Sequence, residues 1–318
     1  MKGVKVSLDI DKSITPVAQK HRRIPFHMRE EVEKELQQLL DNDLIERVPD
    51  GEATEWVSPI VMVPKLNGSY RLCVDMVQPN KAIKRIRHVI PTIEELRHEF
   101  NGCNFFTKID LNQGYHQLEL DEASRYITTF SSHTGLFRFK VLNYGTSSAA
   151  EIFHEEVRKK VAPIPVHVKN VYDDVLIGGK TQQELKTNER KLFDICRDNN
   201  ITINIKKCEF GKPSVKFYGM VFSNKGIHPD PTKVNDLRNA ETPKDKNELR
   251  SFLGMTNFSS RFIPDYSTLT ADLRHLLKND TIWQWTEKEE NRTGSSASNI
   301  LKHSSFQKHM QVCQKHTI

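Results

Sequence analysis

The sequence lacks the features of membrane proteins, disulfide-bonded secreted proteins and zinc-finger proteins. Its five cysteines, at positions 73, 103, 196, 208 and 313, are scattered and form no Cys-x-x-Cys pair. This spacing argues against a disulfide framework or a zinc knuckle and suits a reducing compartment, so we expect an intracellular protein of the cytoplasm or nucleus. No apolar run approaches the length that crosses a bilayer, and no secretory leader is visible, so we expect no membrane partner.

The sequence also lacks a strong charge of either sign. Its formal net charge is +6, its pI is near 8.9 and its mean hydropathy is −0.58. A positive surplus this small permits a polyanionic partner but does not establish one. At 318 residues the chain is long enough for a sizeable core, and we expect two or three subdomains.

Three aspartates carry most of the chemical information. Asp110 ends an apolar run at 105–109, and the pair Asp173-Asp174 stands between β-prone runs at 166–168 and 175–177. This pattern predicts a hairpin with both carboxylates at its tip and a neighbouring strand that brings Asp110 beside them. Crowded carboxylates repel unless a hard cation such as Mg²⁺ lies between them, and two such ions can stabilise an in-line phosphoryl displacement. The alternative interpretation of an Asp-Asp pair is an ordinary turn.

Further motifs accompany Asp110 in a fixed order along the chain. They are RLCVD at 71–75, QPNK at 78–81, DLNQGYHQLEL at 110–120, TTF at 128–130, GLFRF at 135–139, YGTSSA at 144–149, KCEF at 207–210 and RSFLG at 250–254. In this order and spacing they closely resemble the reverse transcriptase of Gypsy-type LTR retrotransposons, from about residue 25 to residue 289.

The resemblance implies an α/β right-hand polymerase fold. The expected domains are a loosely ordered lead at 1–24, the fingers and palm of the reverse transcriptase at 25–226, a helical thumb at 227–285 and a degenerate tail at 286–318. Because residues 294–298 resemble a linker and Asp280 is the last aspartate, we expect no ribonuclease H domain in the tail.

Periodicity and turn residues predict the local structure. Helices are expected at 28–42, 91–99, 147–160, 181–198, 232–239, 244–262 and 268–277, with Thr181 as the N-cap of the fourth. Strands are expected at 58–64, 70–74, 128–130, 136–141, 202–204, 215–218 and 220–222, with a hairpin turn at Asn67-Gly68 between the first two.

The resemblance further implies RNA-directed DNA polymerisation. The 3′-OH of a primer annealed to an RNA or DNA template would attack the α-phosphate of a deoxynucleoside triphosphate. Two Mg²⁺ ions, with Mn²⁺ as the alternative ion, would be bridged by Asp110 and Asp173, and Asp174 would be a weaker or outer ligand.

Other site residues follow from the same resemblance. Five residues would bind the nucleotide: Lys65 and Arg71 would grip the triphosphate, Tyr115 would lie under the sugar, Gly145 would allow a close backbone approach and Lys207 would lie near the leaving pyrophosphate. The residues expected at the primer and template are Asn80, Gln117 and Phe217-Tyr218-Gly219. From the residues alone, several have plainer interpretations: a solvated hairpin for the two finger cations, a core tyrosine for Tyr115, a helix-entry turn for Gly145 and a core hairpin for 217–219.

Two other functions stay open at this stage. Val77, Asn143 and Ala150 replace an arginine and two prolines that the family usually has, which is compatible with a catalytically weak or inactive retroelement-derived protein that binds RNA or an RNA–DNA hybrid. The second alternative is a palm-fold enzyme similar to a nucleotidyl cyclase, against which the finger segment at 71–80 and the helical thumb argue. The sequence sets no oligomeric state.

Overall fold

The chain divides into two compact units, each of which is described by itself. The structure, a computed structural model, describes residues 1–64, 70–258, 260–263 and 265–286. The first unit is Met1–Lys212, and the second begins at Pro213. The predicted domain limit at 226/227 stays a prediction. The expected hairpin turn at Asn67-Gly68 and nearly all of the tail at 286–318 lie outside the described residues.

The first unit mixes strands and helices. In chain order these are β1 (Lys5–Val6), α1 (Phe26–Asp41), β2 (Ile45–Arg47), β3 (Ser58–Pro64), β4 (Tyr70–Val74), α2 (Pro79–Ala82), α3 (Ile93–Glu99), β5 (Phe105–Asp110), β6 (Glu119–Leu120), α4 (Glu122–Arg125), β7 (Phe130–Ser132), β8 (Gly135–Phe139), α5 (Ala149–Val161), β9 (Val168–Val171), β10 (Asp174–Gly179), α6 (Gln182–Asp198) and β11 (Glu209–Lys212). Three short 3₁₀ segments, at Gly114–Gln117, Tyr126–Thr128 and Ile205–Lys207, lie between them.

Two larger sheets organise the first unit. A four-stranded sheet has the order β11-β5-β10-β9, and a five-stranded sheet has the order β2-β8-β7-β3-β4. We call the first the palm sheet and the second the finger sheet. The centre of the palm sheet is apolar on both faces, since Val175, Leu176 and Ile177 of β10 are all fully buried. The acidic side chains therefore lie at the ends of the strands: Asp110 is the last residue of β5, and Asp174 is the first residue of β10.

The helices α5 and α6 cover the palm sheet. α6 begins as predicted, because the Thr181 side chain accepts a hydrogen bond from the Glu184 backbone N–H and so satisfies one of the free donors of the first turn. Its start lies very close to β10: a Cβ atom on Gly179 would come within 2.6 Å of the Leu185 backbone nitrogen. Only glycine permits this approach.

The second unit combines a small sheet with helices. It contains β12 (Ser214–Phe217), β13 (Met220–Ser223), β14 (Gly226–Pro229), α7 (Pro231–Arg238), α8 (Lys246–Phe258), α9 (Tyr266–Leu269) and α10 (Ala271–Leu276), with a 3₁₀ segment at Ser260–Phe262. The three strands form an antiparallel sheet in sequence order. The helices share a core that includes Leu249, Phe252 and Leu273.

Most predicted elements are present, and the differences have local causes. The strands predicted at 58–64 and 70–74 match β3 and β4. Residues 202–204 form no strand of their own: Ile203 makes one isolated bridge to Leu111, and a 3₁₀ segment follows. The helix predicted at 268–277 breaks at Thr270, whose hydroxyl bonds back to the Tyr266 carbonyl. In the part of the chain described here, no helix is long and apolar enough to cross a membrane.

One histidine is packed into the first unit as an apolar group. The His116 ring lies 5.9 Å from the Phe139 ring and 5.0 Å from the Tyr144 ring, measured between centroids. Burial, with a smaller contribution from the Arg71 charge, lowers the pKa of His116 to about 4. Since the unfolded chain titrates this group near pH 6.5, the folded state binds fewer protons between these values.

We therefore expect stability to fall as the pH drops from about 6.5 towards 4, by at most about 1.4 kcal/mol per pH unit from this residue. His116→Gln should remove that part of the dependence. The measurement is urea unfolding at a series of pH values for the parent chain, for His116→Gln and for His98→Gln, which alters an exposed histidine. An equal slope in all three proteins would contradict the assignment.

Candidate active site

The site is built on the pairing of β5 with β10. The two strands are antiparallel, and Asp110 is the direct partner of Asp174 across them. Side chains of directly opposite residues lie on the same face of a sheet, with Cβ atoms about 4.5–5.5 Å apart. The predicted neighbouring strand is thus present. Asp174 belongs to the strand rather than to the hairpin tip, where Tyr172 and Asp173 form the loop.

Asp173 is held next to this pair from two sides. Its carbonyl oxygen accepts a hydrogen bond of 2.9 Å from the Leu111 N–H, so the segment after Asp110 fixes the hairpin loop. A Cβ atom on Gly114 would lie 3.4 Å from Asp173 Cβ and 2.8 Å from the Phe153 ring. The glycine of the DLNQGY motif therefore lets the chain pass close to Asp173.

The three carboxylates influence one another electrostatically. Burial raises the pKa of Asp174; Lys108 opposes this rise, whereas Asp173 and Asp110 add to it. Lys108 Nζ lies 3.4 Å from Asp174 Oδ2, and Lys207 Nζ lies 3.6 Å from Asp110 Oδ2. Two ammonium groups thus provide the positive charge that crowded carboxylates need.

The donor set suits a hard divalent cation, because carboxylate oxygens are the ligands that Mg²⁺ prefers. As the side chains stand, however, no group of three His, Cys, Asp or Glu residues within the described ranges is arranged to hold a metal ion. In this arrangement Asp174 is paired with Lys108, and Asp110 is paired with Lys207. Asp110, Asp173 and Asp174 remain the residues that would hold an ion.

Tyr115 lies in an aromatic group beside the carboxylates. Its ring centroid is 4.9 Å from that of Tyr144 and 5.8 Å from that of Phe153. Burial, followed by the Asp173 carboxylate, raises the pKa of Tyr115 to about 12, which keeps the phenol protonated. The exposed Arg71 has its guanidinium 5.2 Å from the centre of the Tyr144 ring. Arg71, Tyr115 and the aspartates are therefore brought together, and their role as a nucleotide pocket stays a prediction. Lys65 lies outside the described residues.

Asn80 and Gly145 form one polar contact. Asn80 Nδ2 donates to the Gly145 carbonyl at 2.8 Å, and Asn80 Oδ1 accepts from the Ser147 N–H at 2.7 Å. Gly145 has a φ of +93°, and a Cβ atom there would lie 3.3 Å from the Val74 carbonyl oxygen. The backbone angle favours glycine at this position, and the contact would be tight for a larger residue. In this arrangement Asn80 holds the loop before α5, and a direct contact with primer or template stays a prediction.

Gln117 is likewise engaged with backbone groups. Its Nε2 donates to the carbonyls of Asn112 and Thr202, and its Oε1 accepts from the Thr202 N–H at 2.9 Å. This amide joins the segment after Asp110 to the chain before the 3₁₀ segment at Ile205–Lys207. Its predicted role at the primer or template remains untested, and its observed role is to connect two loops.

The remaining predicted residues are Lys207 and the segment 217–219. Lys207 is exposed and pairs with Asp110, so a position at the leaving pyrophosphate stays a prediction. Phe217-Tyr218-Gly219 belongs to the second unit. There Phe217 is buried, and Tyr218 and Gly219 form a two-residue hairpin loop with φ values of +50° and +71°. Such a loop is typical of a type I′ turn and leaves Tyr218 partly exposed.

Two contributors were missed from sequence. Lys108 precedes Asp110 by two residues on one strand, so the period of 2 could have placed both on one face. Tyr144 adjoins Gly145 in the YGTSSA motif, but only the folded chain brings it to Tyr115.

Known proteins share sequence similarity with much of the chain. The model of the family described as reverse transcriptase (RNA-dependent DNA polymerase) matches residues 63–222, about half of the chain. The chain is 29% identical over 284 residues to the Retrovirus-related Pol polyprotein from transposon 412 of Drosophila melanogaster, covering 87% of this chain and 23% of that protein. It is 34% identical over 229 residues to the Transposon Tf2-3 polyprotein of Schizosaccharomyces pombe, covering 72% and 17%. The chain therefore spans a quarter or less of these curated relatives.

Solved structures show the same fold. A foamy viral protease-reverse transcriptase in complex with double-stranded DNA superposes with a TM-score of 0.82 at 21% identity, over 93% of this chain and 52% of that one. The corresponding complex with an RNA/DNA hybrid gives a TM-score of 0.78, over 94% and 40%. The predicted α/β polymerase fold is confirmed. From the family match and the retrotransposon relatives together, we conclude that the chain belongs to the reverse transcriptase (RNA-dependent DNA polymerase) family.

Proposed function

We propose that the chain is the RNA-directed DNA polymerase of a Gypsy-type LTR retrotransposon and adds deoxynucleotides to a primer 3′ end. The observation that carries this proposal is the register of the palm sheet, in which Asp110 faces Asp174 across two strands and Asp173 occupies the adjoining loop. Three carboxylates at one sheet edge, beside an aromatic pocket, suit phosphoryl transfer. A templated polymerase also accounts for the finger sheet, which an untemplated cyclase would not need.

In the proposed reaction, the carboxylates of Asp110, Asp173 and Asp174 hold the divalent cations. When bound, two Mg²⁺ ions, or Mn²⁺ in their place, supply charge stabilisation to the attacking and leaving oxygens. The ammonium groups of Lys108 and Lys207, which lie 3.4 and 3.6 Å from carboxylate oxygens, balance part of the negative charge of the site. Lys207 is exposed and close enough to Asp110 to turn towards the pyrophosphate as it leaves.

The aromatic group provides the proposed nucleotide pocket. The Tyr115 ring packs on Tyr144 and Phe153 and cannot move away without losing both contacts. A sugar placed over this ring would meet it where a ribose has its 2′-OH, the group that separates RNA from DNA. Arg71, stacked over Tyr144, presents a fork of donors to the phosphates of a deoxynucleoside triphosphate.

The proposed macromolecular partner is an RNA or DNA template with its annealed primer. We propose that Asn80 and Gln117 contribute by holding the loops beside the primer terminus, and that the exposed Tyr218 of the 217–219 turn contacts the primer. Binding through the phosphate backbone would be sensitive to salt and largely blind to sequence. Cys103, Cys196 and Cys208 carry thiols that are not joined in disulfides, which supports the proposed reducing cytoplasmic or nuclear location.

Primer extension on poly(rA)/oligo(dT) with Mg²⁺ or Mn²⁺ tests the proposal directly. We expect Asp173→Asn to lower the rate of incorporation by about 10³-fold or more, equivalent to about 4 kcal/mol, because a ligand charge is lost. Affinity for the primer–template duplex should change less than about twofold, since phosphate contacts elsewhere provide it.

The matched control is Asp194→Asn, which removes an exposed carboxylate of α6 in the same unit and should leave incorporation unchanged. An Asp173→Asn protein that extends primers at the parental rate would contradict the assignment of Asp173 as a metal ligand. A parental chain that binds the duplex but incorporates no nucleotide would instead favour the binding-only alternative.

Tyr115→Val should admit ribonucleotides, because it opens space beside the sugar. We expect the ratio of dNTP to rNTP incorporation efficiency to fall by about 10-fold or more, the scale of a steric discrimination in a packed pocket. Tyr126→Val is the control, since it shortens a half-exposed tyrosine elsewhere. If the ratio is the same in both variants, Tyr115 is only a packing residue.

A further inference from the structure

A fully buried histidine lies directly beneath the hairpin loop that carries Asp173. His154 belongs to α5, which packs on β9, and its side chain has no solvent exposure. A buried imidazole needs hydrogen-bond partners, because an unpaired polar group in a core is costly. The partners of its ring nitrogen Nδ1, Asn170 and Tyr172, come from the strand and loop that lead into Asp173.

The hydrogen bonds identify which ring nitrogen accepts. Asn170 Nδ2 donates to the His154 carbonyl at 2.9 Å and also lies 3.1 Å from His154 Nδ1. The Tyr172 backbone N–H donates to the same Nδ1 at 3.3 Å. A backbone N–H can only donate, so Nδ1 carries a lone pair and the ring proton is on Nε2. Burial also lowers the pKa of His154, which favours this neutral form.

The residue that receives this support has an unfavourable backbone conformation. Tyr172 has a φ of +55°, in the left-handed region that favours glycine. It is the first residue of the two-residue loop between Val171 and Asp174, which are paired across β9 and β10. A side-chain-bearing residue stays in such a conformation when its surroundings hold it there. Two hydrogen bonds anchor the loop: the Tyr172 N–H donates to His154 Nδ1, and the Leu111 N–H donates to the Asp173 carbonyl.

We propose that His154 is a positioning residue: its Nδ1 atom holds the Tyr172 N–H, and so fixes the loop that places Asp173 next to the Asp110–Asp174 pair. This inference rests on the proposed polymerase function and extends it to a residue with no contact to substrate. The important property is a hydrogen-bond acceptor at the position of Nδ1. The aromatic ring and its volume are secondary.

Three substitutions separate the acceptor from the bulk of the side chain. His154→Asn can place its Oδ1 atom where Nδ1 lies. His154→Gln carries its amide one carbon further out, at the position of Nε2. His154→Leu keeps an apolar volume but accepts no hydrogen bond. Val157→Ala, at another buried position of α5, serves as a control for loss of packing alone.

The first readout is independent of activity. Hydrogen–deuterium exchange of the peptide that spans residues 168–176 should be about 10-fold faster at the Tyr172 amide in His154→Leu and His154→Gln, because the native acceptor is missing. It should be close to the parental rate in His154→Asn and Val157→Ala. Melting curves on all four variants show whether each protein is folded at the temperature of the assay.

The second readout is kinetic. In His154→Leu and His154→Gln, kcat for nucleotide incorporation should fall by about 10- to 100-fold, the scale of a small misplacement of a catalytic group, while KM for dNTP changes less than about threefold. His154→Asn should retain most of kcat even if its melting temperature falls. Val157→Ala should lose stability without losing kcat at a temperature where it is folded.

The outcomes are distinct. If kcat follows the melting temperature across all four variants, the acceptor role is wrong. The same conclusion follows if kcat falls as much in His154→Asn as in His154→Gln. An unchanged exchange rate at Tyr172 in His154→Leu would also overturn it. If the parental chain incorporates no nucleotide, the polymerase proposal fails, and the exchange measurement still decides whether His154 holds the loop.

Discussion

The antiparallel pairing of β5 with β10 is the constraint on which the rest of the site depends. Asp110 and Asp174 share a face only in the observed register. A shift of one residue would turn the side chains of a whole strand to the opposite face. The register is fixed by packing on both faces, because Ile109 on one strand and Val175 and Ile177 on the other have no solvent exposure, and a shifted strand would have to fit its side chains into a different buried surface.

Charge balance at the sheet edge follows from that register. Lys108 lies on the same strand as Asp110 and reaches Asp174 across the strand pair, while Lys207 approaches Asp110 from a separate segment. Each carboxylate of the cross-strand pair therefore has its own cation, although neither cation is adjacent to its carboxylate in sequence. The positive charges of the two lysines offset part of the repulsion between the carboxylates.

The sequence predicted the elements more reliably than their contacts. Burial patterns and turn residues identified β3, β4, α6 and its Thr181 cap, because local interactions determine them. The carboxylates were predicted to meet, but the cross-strand partner of Asp110 was not, since register depends on burial over the whole sheet.

Side-chain partners were the least predictable feature. The resemblance predicted that Gln117 and Asn80 contact the primer or template. In the structure the Gln117 amide bonds to backbone groups 85 positions away in sequence, and the Asn80 amide bonds to backbone groups 65 and 67 positions away. Contacts at that separation are set by the tertiary fold, which no local pattern encodes. The burial of His154 against Asn170 has the same origin.

The amide of Asn80 limits what evolution can place at that position. Its nitrogen donates to the Gly145 carbonyl while its oxygen accepts from the Ser147 N–H, so both halves of one small group are needed in a fixed orientation. Aspartate has the right shape but no donor, and would set a negative charge against a carbonyl oxygen. Leucine has the volume but neither function. Of the side chains with this reach, asparagine alone supplies both a donor and an acceptor, which makes the position intolerant of substitutions that usually count as conservative.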